Sequence, residues 1–341
     1  MATKESVFLE MNKEEKGLVE PDKIYHAMKT FHKDGSIREG KINEMTNVED
    51  ILQVKLISND LDKLSEVAHL FDIDLKPFKN TEDIEISSHY IDFNNQLTLN
   101  LSIPIGLSET TIEEESIHFI IKNKKVFTFY PTHVNTIIDQ LTKIRYNESS
   151  LNFTSHLDFL LFQLGTISDY YADVVENISS KIRTTYYDII KTTNVSDKNL
   201  DRLTHYNFSN FLVRESLSEF QKILLLLRRK YFENNNIIEK LELEINDLNV
   251  ISEHVQYNFE RVTDLKSNLN SKIELQQNKI FKTLTIITVC VSIPTLITGV
   301  YGMNFKNMPE LSYKFGYPAI ILIIAMSLVI PLIYFSRKKW F

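Results

Sequence analysis

Apolar and polar positions follow three different rhythms along this chain. Near the C-terminus the rhythm is simply the absence of charge: Thr283 to Phe305 is a run of 23 residues without a charged side chain, and Phe315 to Ser336 a second run of 22. Each is long enough to cross hydrocarbon of about 30 Å at about 1.5 Å per residue. Upstream, apolar residues recur every seven positions. One series is Ile238, Ile245, Ser252, Phe259, Lys266, Ile273 and Ile280; the other is Leu241, Leu248, Val255, Val262, Leu269 and Gln276. No Pro or Gly falls between Asn236 and Ile293, so the pattern predicts one very long helix that packs on partner helices and continues into the first uncharged run. Two further helices precede it. The first carries Leu157, Leu160, Leu161, Leu164, Ile167, Tyr171, Val174, Ile178 and Ile182 at helical spacing, and the second runs from Phe208 to Phe232. Asn194 to Asp197 and Glu233 to Asn236 supply the breaks. From about residue 45 to 140 the period is two and the residues are β-branched, as in VKLISN, QLTLNLSIPI and SIHFIIKNKKVFTFYP, with a helix expected at 61–71.

These rhythms predict an α+β chain with a division of labour along its length. Residues 1–145 form a mixed α/β domain, 146–282 a helical bundle with a long stalk helix, and 283–305 a first transmembrane helix. Residues 306–314 are a short loop, and 315–341 a second transmembrane helix with a basic tail. Two spans joined by a short loop leave both flanks on one side of the lipid bilayer. Arg337, Lys338 and Lys339 after the second span, with Lys279 and Lys282 before the first, mark that side as cytoplasmic. The N-terminus has no apolar core of a cleaved signal peptide.

The texture of the first span changes the picture most. Steps of three and four from Asn278 give Asn278, Phe281, Thr285, Thr288, Ser292, Thr295 and Gly299, a stripe that is polar or small at every position but Phe281. A stripe of this kind suits a helix that turns one face toward other helices or toward water. One such helix cannot enclose a pore, so several chains must surround an axis. The second span has only Ser327 in its central part and reads as the lipid-facing partner.

Charge and composition narrow the function. Of 45 acidic and 38 basic residues, residues 282–341 hold one acid (Glu310) and six basic residues, so the acidity lies in the body and the positive charge at the membrane flank. An acidic body repels nucleic acid and attracts cations, and a basic flank suits an anionic membrane surface. The single Cys290 excludes an intramolecular disulfide, and the N-x-[ST] matches at Asn147, Asn152, Asn177, Asn194 and Asn207 then read as chance. Enzyme motifs are almost absent: there is no G-x-G, no G-x-S-x-G, and no pair of the nine His at H-x-x-x-H spacing. Gly35 to Ile42 has P-loop spacing, yet Ile42 stands where a hydroxyl must reach the metal and no apolar strand precedes it, so no nucleotide is expected. Acidic groups at Asp60/Asp62, Asp72/Asp74, Glu82/Asp83, Glu242/Glu244 and Asp247 could offer oxygen ligands to a hard divalent cation between subunits, although each alone is more often solvated surface.

At the end of the first span stands Tyr301-Gly302-Met303-Asn304-Phe305, followed by Met308-Pro309-Glu310-Leu311. Gly-Met-Asn closing the penultimate transmembrane helix, MPEL in the loop and a final helix closing with basic residues resemble the CorA magnesium channels. The close resemblance covers about 270–341. It implies a homopentameric funnel, with the first span lining the pore and Mg²⁺ both transported and sensed between cytoplasmic domains. By the same resemblance Gly302, Met303 and Asn304 form the outer filter, and Asn278 a ring near the cytoplasmic end. Phe281 and Leu284 form a hydrophobic gate, Thr288, Ser292 and Thr295 line the path, and Glu310 belongs to the outer loop. Glu244, Asp247, Asp72 and Asp74 are the acids assigned to sensing; Leu243 falls where a family sensing Asp is expected. Neither span contains an acid, so an ion stripped of water would have no compensating charge, and hydrated Mg²⁺ is the species such a path suits. The alternative is another divalent metal, Co²⁺, Ni²⁺ or Zn²⁺, although the stripe lacks the His and Cys ligands that softer ions prefer.

Overall fold

The computed structural model describes residues 28–32, 37–39, 51–57, 67–69, 71–75, 89–105, 113–148, 153, 155–191, 197–304 and 308–338. The near P-loop at 35–42 lies largely outside them, as do Asp60, Asp62, Glu82, Asp83 and Lys306. The strands are β1 (Met28–His32), β2 (Ile37–Glu39), β3 (Ile51–Ile57), β4 (Tyr90–Phe93), β5 (Gln96–Ile105), β6 (Glu113–Lys122) and β7 (Lys125–Tyr130). Five helices follow: α1 (Thr132–Glu148), α2 (His156–Lys191), α3 (Asp197–Lys230), α4 (Asn235–Tyr301) and α5 (Gly316–Arg337), with a 3-10 turn at Pro309–Ser312. Two compact units emerge. One comprises residues 1–192 and 196–264, and the other 193–195 and 265–341.

In the first unit the strands form one sheet in the order β2-β1-β3-β7-β6-β5-β4. Only β3 and β7 pair in parallel; the other neighbours are antiparallel. The long antiparallel run follows from tight turns, with Asn94, Asn95, Asn123 and Lys124 at positive φ between β4 and β5 and between β6 and β7. Because side chains alternate across a strand, β3 and β7 present two unlike faces. Val54, Leu56, Phe127 and Phe129 face Val67, Ala68 and Ile73 in an apolar cluster. The opposite positions carry a buried polar layer: the Gln53 amide donates to Thr128 Oγ1 (2.7 Å) and to Gln163 Oε1 of α2 (2.9 Å), and Lys55 pairs with Asp139 of α1. Two strands, β1 and β2, lie before residue 45, where no period-two pattern announces them.

The helices begin where local chemistry satisfies their first amides. Ser155 Oγ accepts from the Asp158 amide (3.1 Å) and Asn234 Oδ1 from that of Ile237 (3.3 Å), so a polar cap stands at the start of α2 and of α4. Tyr170 and Tyr171 of α2 are buried and donate to the carbonyls of Pro104 and Ser102 in β5, which ties α2 to the sheet.

On the part of α4 before residue 270 the buried positions are Ile237, Leu241, Glu244, Leu248, Ile251, Val255, Asn258, Val262, Leu265 and Leu269, a strict alternation of four- and three-residue steps. The column of Leu241, Leu248, Val255, Val262 and Leu269 is the one predicted. Its partner column lies one residue earlier than the expected series: Ile238, Ile245, Ser252, Phe259 and Lys266 are half-buried flanks, and Gln276 and Ile280 are exposed. The reason is that two buried positions are polar and are engaged by neighbouring helices. Asn258 Oδ1 accepts from Ser179 of α2 (2.9 Å). Glu244 accepts from Arg145 Nη2 (2.6 Å) while Arg145 Nη1 donates to Asp169 Oδ2 (2.9 Å), joining α1, α2 and α4. The ion pair crosses α2 at Gly165, where a Cβ would stand 2.2 Å from Arg145 Nη2 and 2.4 Å from Glu244 Oε1.

Two expectations follow. Gly165→Ala forces the Arg145–Glu244 pair apart and lowers stability by about 1–3 kcal/mol, read as a drop in melting temperature that Gly165→Ser reproduces. His118 on β6, with Nδ1 2.8 Å from Asn100 Oδ1, has its pKa pushed by burial from 6.5 down to about 4. A depressed histidine contributes stability that is full above pH 6.5 and is lost as pH falls toward 4. The loss is of order 2–3 kcal/mol across that window; in melting curves between pH 7 and 4, His118→Gln shows a shallower acid decline than the wild type.

Candidate ion path

In the second unit the span of α4 has one covered face. Ile286 and Cys290 are buried, and Val289, Pro294, Ile297 and Tyr301 are half-buried. On α5 no residue is fully buried, and the half-buried positions Gly316, Ile320, Ile324, Ser327, Pro331 and Phe335 form a matching stripe. These are the shielded faces of the two helices. All remaining positions of α5 are open, including Ile321, Leu322, Ile323, Leu328 and Ile330. An apolar helix left bare on most of its circumference belongs in lipid rather than in water.

The polar stripe lies about half a helical turn from the covered face, at 100° per residue. Asn278, Phe281, Leu284, Thr285, Thr288, Ser292, Thr295 and Gly299 are all exposed. The structure therefore brings the expected path residues onto one open side of one helix, where a groove of about 800 Å³ runs past Thr288, Ser292, Thr295 and Gly299. Pro294 sits within α4 on the other side, so the missing amide of a proline does not interrupt the stripe.

The hydroxyls share one orientation. Thr285 donates to the Phe281 carbonyl (2.8 Å), Thr288 to that of Leu284 (2.8 Å), Ser292 to that of Thr288, and Thr295 to that of Val291 (2.7 Å). Each proton is spent on the helix backbone, as hydroxyl groups four residues on commonly do. What these four residues leave on the open side is oxygen lone pairs, so between Thr285 and Thr295 the hydroxyls of the stripe accept hydrogen bonds and offer none.

At its end α4 tightens: the Gly302 amide bonds to the Thr298 carbonyl (2.9 Å) and that of Met303 to Val300 (3.2 Å). Gly302, Met303 and Asn304 are exposed at this terminus. Glu310 lies in the 3-10 turn, whose carbonyl at Glu310 would be 2.2 Å from a Cβ on Gly316; only glycine lets the turn fold so closely onto the start of α5.

The acids assigned to sensing do not stand together. Among the described residues no three His, Cys, Asp or Glu side chains form a metal-binding group. Asp72, at φ 56°, pairs with Lys122 (3.0 Å). The backbone of Asp74 is held by Gln96. Asp247 is exposed on α4, and Glu244 is the buried partner of Arg145. Burial pushes the Glu244 carboxyl above its usual range, against the pull of Arg145. Leu243 is 61% exposed, on the side of α4 away from the seam.

Residues 50–339 match the model of the family described as "CorA-like Mg2+ transporter protein". The chain is 27% identical over 297 residues to a magnesium transport protein CorA of Wolinella succinogenes, covering 85% of this chain and 91% of that one. It is 29% identical over 268 residues to one of Haemophilus influenzae, covering 78% and 84%. The complete structure of the CorA magnesium transporter from Methanocaldococcus jannaschii superposes with a TM-score of 0.76 at 18% identity, over 92% of this chain and 98% of that one.

A water-facing stripe and a lipid-facing helix differ in reactivity. In a Cys290→Ser background reconstituted in lipid, Ser292→Cys reacts rapidly with a charged, membrane-impermeant thiol reagent, and Ile323→Cys reacts at least about tenfold more slowly, because only thiolate in water is nucleophilic.

Proposed function

The chain belongs to the CorA-like Mg2+ transporter family, and from that premise we propose that it forms a pore through which the membrane potential draws hydrated Mg²⁺ into the cell. The observation that carries this reading is the row of acceptor-only hydroxyls at Thr285, Thr288, Ser292 and Thr295 on α4. Water bound to a cation points its protons outward, so a wall of lone pairs fits the outside of a hydrated cation and repels a hydrated anion. No carboxylate lines the span, so the wall has nothing with which to replace the water of the ion. Mg²⁺ keeps its waters more tenaciously than larger divalent ions, which makes the hydrate a defined object to recognise. Two charges crossing 100 mV gain about 4.6 kcal/mol, so no nucleotide is needed to drive uptake.

On this reading five copies surround the axis, and Gly302, Met303 and Asn304 form its outer mouth. Asn278 rings the cytoplasmic end, and both termini lie in the cytoplasm. Exposed Leu243, Val250 and Tyr257, seven residues apart on α4, supply apolar surface for a neighbouring copy. Internal Mg²⁺, held between subunits by acids such as Asp247, Asp72 and Asp74, favours a closed state. Phe281 and Leu284, which are 63% and 57% exposed, then meet across the axis and exclude water.

The test is flux. In liposomes with a trapped Mg²⁺ indicator and a negative-inside potential, the wild type admits Mg²⁺ and Asn304→Ala reduces the initial rate by at least about tenfold. Equal rates with and without the potential, or full activity of Asn304→Ala, would overturn the reading. With millimolar Mg²⁺ inside, the wild type closes while Phe281→Ala/Leu284→Ala continues to conduct.

A further inference from the structure

In the second unit, Tyr313, Phe315 and Tyr317 stand where the loop enters α5. At 77%, 76% and 75% they are the most exposed large apolar or aromatic side chains among the described residues. Lys314 between them is exposed as well. The turn itself keeps the rings out. The Gly316 amide donates to the Tyr313 carbonyl (2.9 Å), Ser312 Oγ donates to the carbonyl of Pro309 (2.7 Å), and the Glu310 carbonyl occupies the space where a Cβ on Gly316 would stand. Backbone therefore fills the inside of the bend from Pro309 to Gly316, and the three rings are left on its outside.

Rings this bare are unfavourable in water in proportion to their apolar area. Their place says what covers them. They flank the half-buried stripe of α5 that begins at Gly316 rather than lying on it, and they continue the open apolar surface of Ile321, Leu322 and Ile323. The other end of α5 repeats the chemistry. Tyr334 is exposed, meets Phe335 edge to face with ring centres 5.5 Å apart, and has Lys338 Nζ 5.6 Å from its own ring centre, with Arg337 beside it in sequence. Nineteen residues separate Phe315 from Tyr334, about 28 Å at about 1.5 Å per residue, against a hydrocarbon layer of about 30 Å. No charged side chain falls between the two.

Rings and cations thus stand at the two levels where hydrocarbon gives way to headgroups. A tyrosine suits that layer because its ring is apolar and its hydroxyl is not. A lysine suits it because the stem lies along apolar surface while the ammonium reaches a lipid phosphate.

We propose that Tyr313, Lys314, Phe315 and Tyr317 form a surface that binds the headgroup layer of the bilayer and thereby holds the turn carrying Glu310 down at the membrane surface. The rings enter among the uppermost acyl carbons and Lys314 pairs with lipid phosphate. The coupling to Glu310 is the closed bend: its carbonyl packs directly on Gly316, so the turn moves with the start of α5. A second copy of the chain is the less suited occupant, because an apolar protein surface that covers the rings leaves the Lys314 charge without a counter-ion. The inference requires α5 to lie in lipid and is independent of what the path along α4 conducts.

The experiment uses the full-length protein in phosphatidylcholine–phosphatidylglycerol vesicles. Trp340→Phe removes the single tryptophan of the chain, and Tyr317→Trp or the mid-helix Met326→Trp then supplies the probe. Lipid brominated close to the headgroup quenches Tyr317→Trp at least about twofold more strongly than lipid brominated near the chain ends, and Met326→Trp shows the opposite order. Quenching of Tyr317→Trp by aqueous iodide alone puts the ring in water, and quenching by neither agent puts it under another copy; each result overturns the proposal. The height of the turn is read from a nitroxide on Glu310→Cys in a Cys290→Ser background. Tyr313→Ala/Phe315→Ala/Tyr317→Ala raises its accessibility to a water-soluble nickel chelate by at least about twofold, whereas Ile323→Ala does not change it. Unchanged accessibility in the triple variant overturns the coupling to Glu310. Should that variant fail to fold, Lys314→Glu, which repels lipid phosphate from an exposed position, gives the same rise or decides against it.

Discussion

The donation of Thr285, Thr288, Ser292 and Thr295 to the carbonyls of their own helix is the interaction on which the functional reading of this chain depends. A hydroxyl in a transmembrane helix must spend its proton somewhere, because an unpaired donor in hydrocarbon costs several kcal/mol. By spending it on the backbone, each residue stays compatible with a membrane-spanning helix and still shows an oxygen on the open face of that helix. A row of amides would offer donors as well as acceptors, and a row of carboxylates would bind a dehydrated divalent ion too tightly to release it. The neutral acceptor stripe avoids both outcomes.

The same helix meets the opposite requirement farther upstream. There its seam must be dry, yet it contains Glu244 and Asn258. Both are tolerated because a partner reaches them: Arg145 in one case, Ser179 in the other. A buried ion pair contributes little net stability compared with an apolar pair of the same shape, but removing one member leaves an uncompensated charge. Such contacts therefore fix register. A slip of one turn along α4 would strand Arg145 and Glu244 together, and the absence of a side chain at Gly165 leaves the pair room in one alignment.

What could be read from the residues alone follows the same physics. The spans were legible because hydrocarbon imposes length and excludes charge on every residue between Thr283 and Phe305. The column from Leu241 to Leu269 was legible because it is wholly apolar. Its partner column lies one residue away from the expected one, since a reading that rewards apolar side chains prefers Ile245 to Glu244 and Phe259 to Asn258, and only the packed neighbours show that Arg145 and Ser179 reach the polar residues. β1 and β2 escaped notice for a related reason: a short strand holding buried Thr30 and His32 does not alternate in the expected way. The stripe of α4 was visible by spacing, whereas the direction of its hydroxyl protons was not, because that depends on rotamers rather than on residue types.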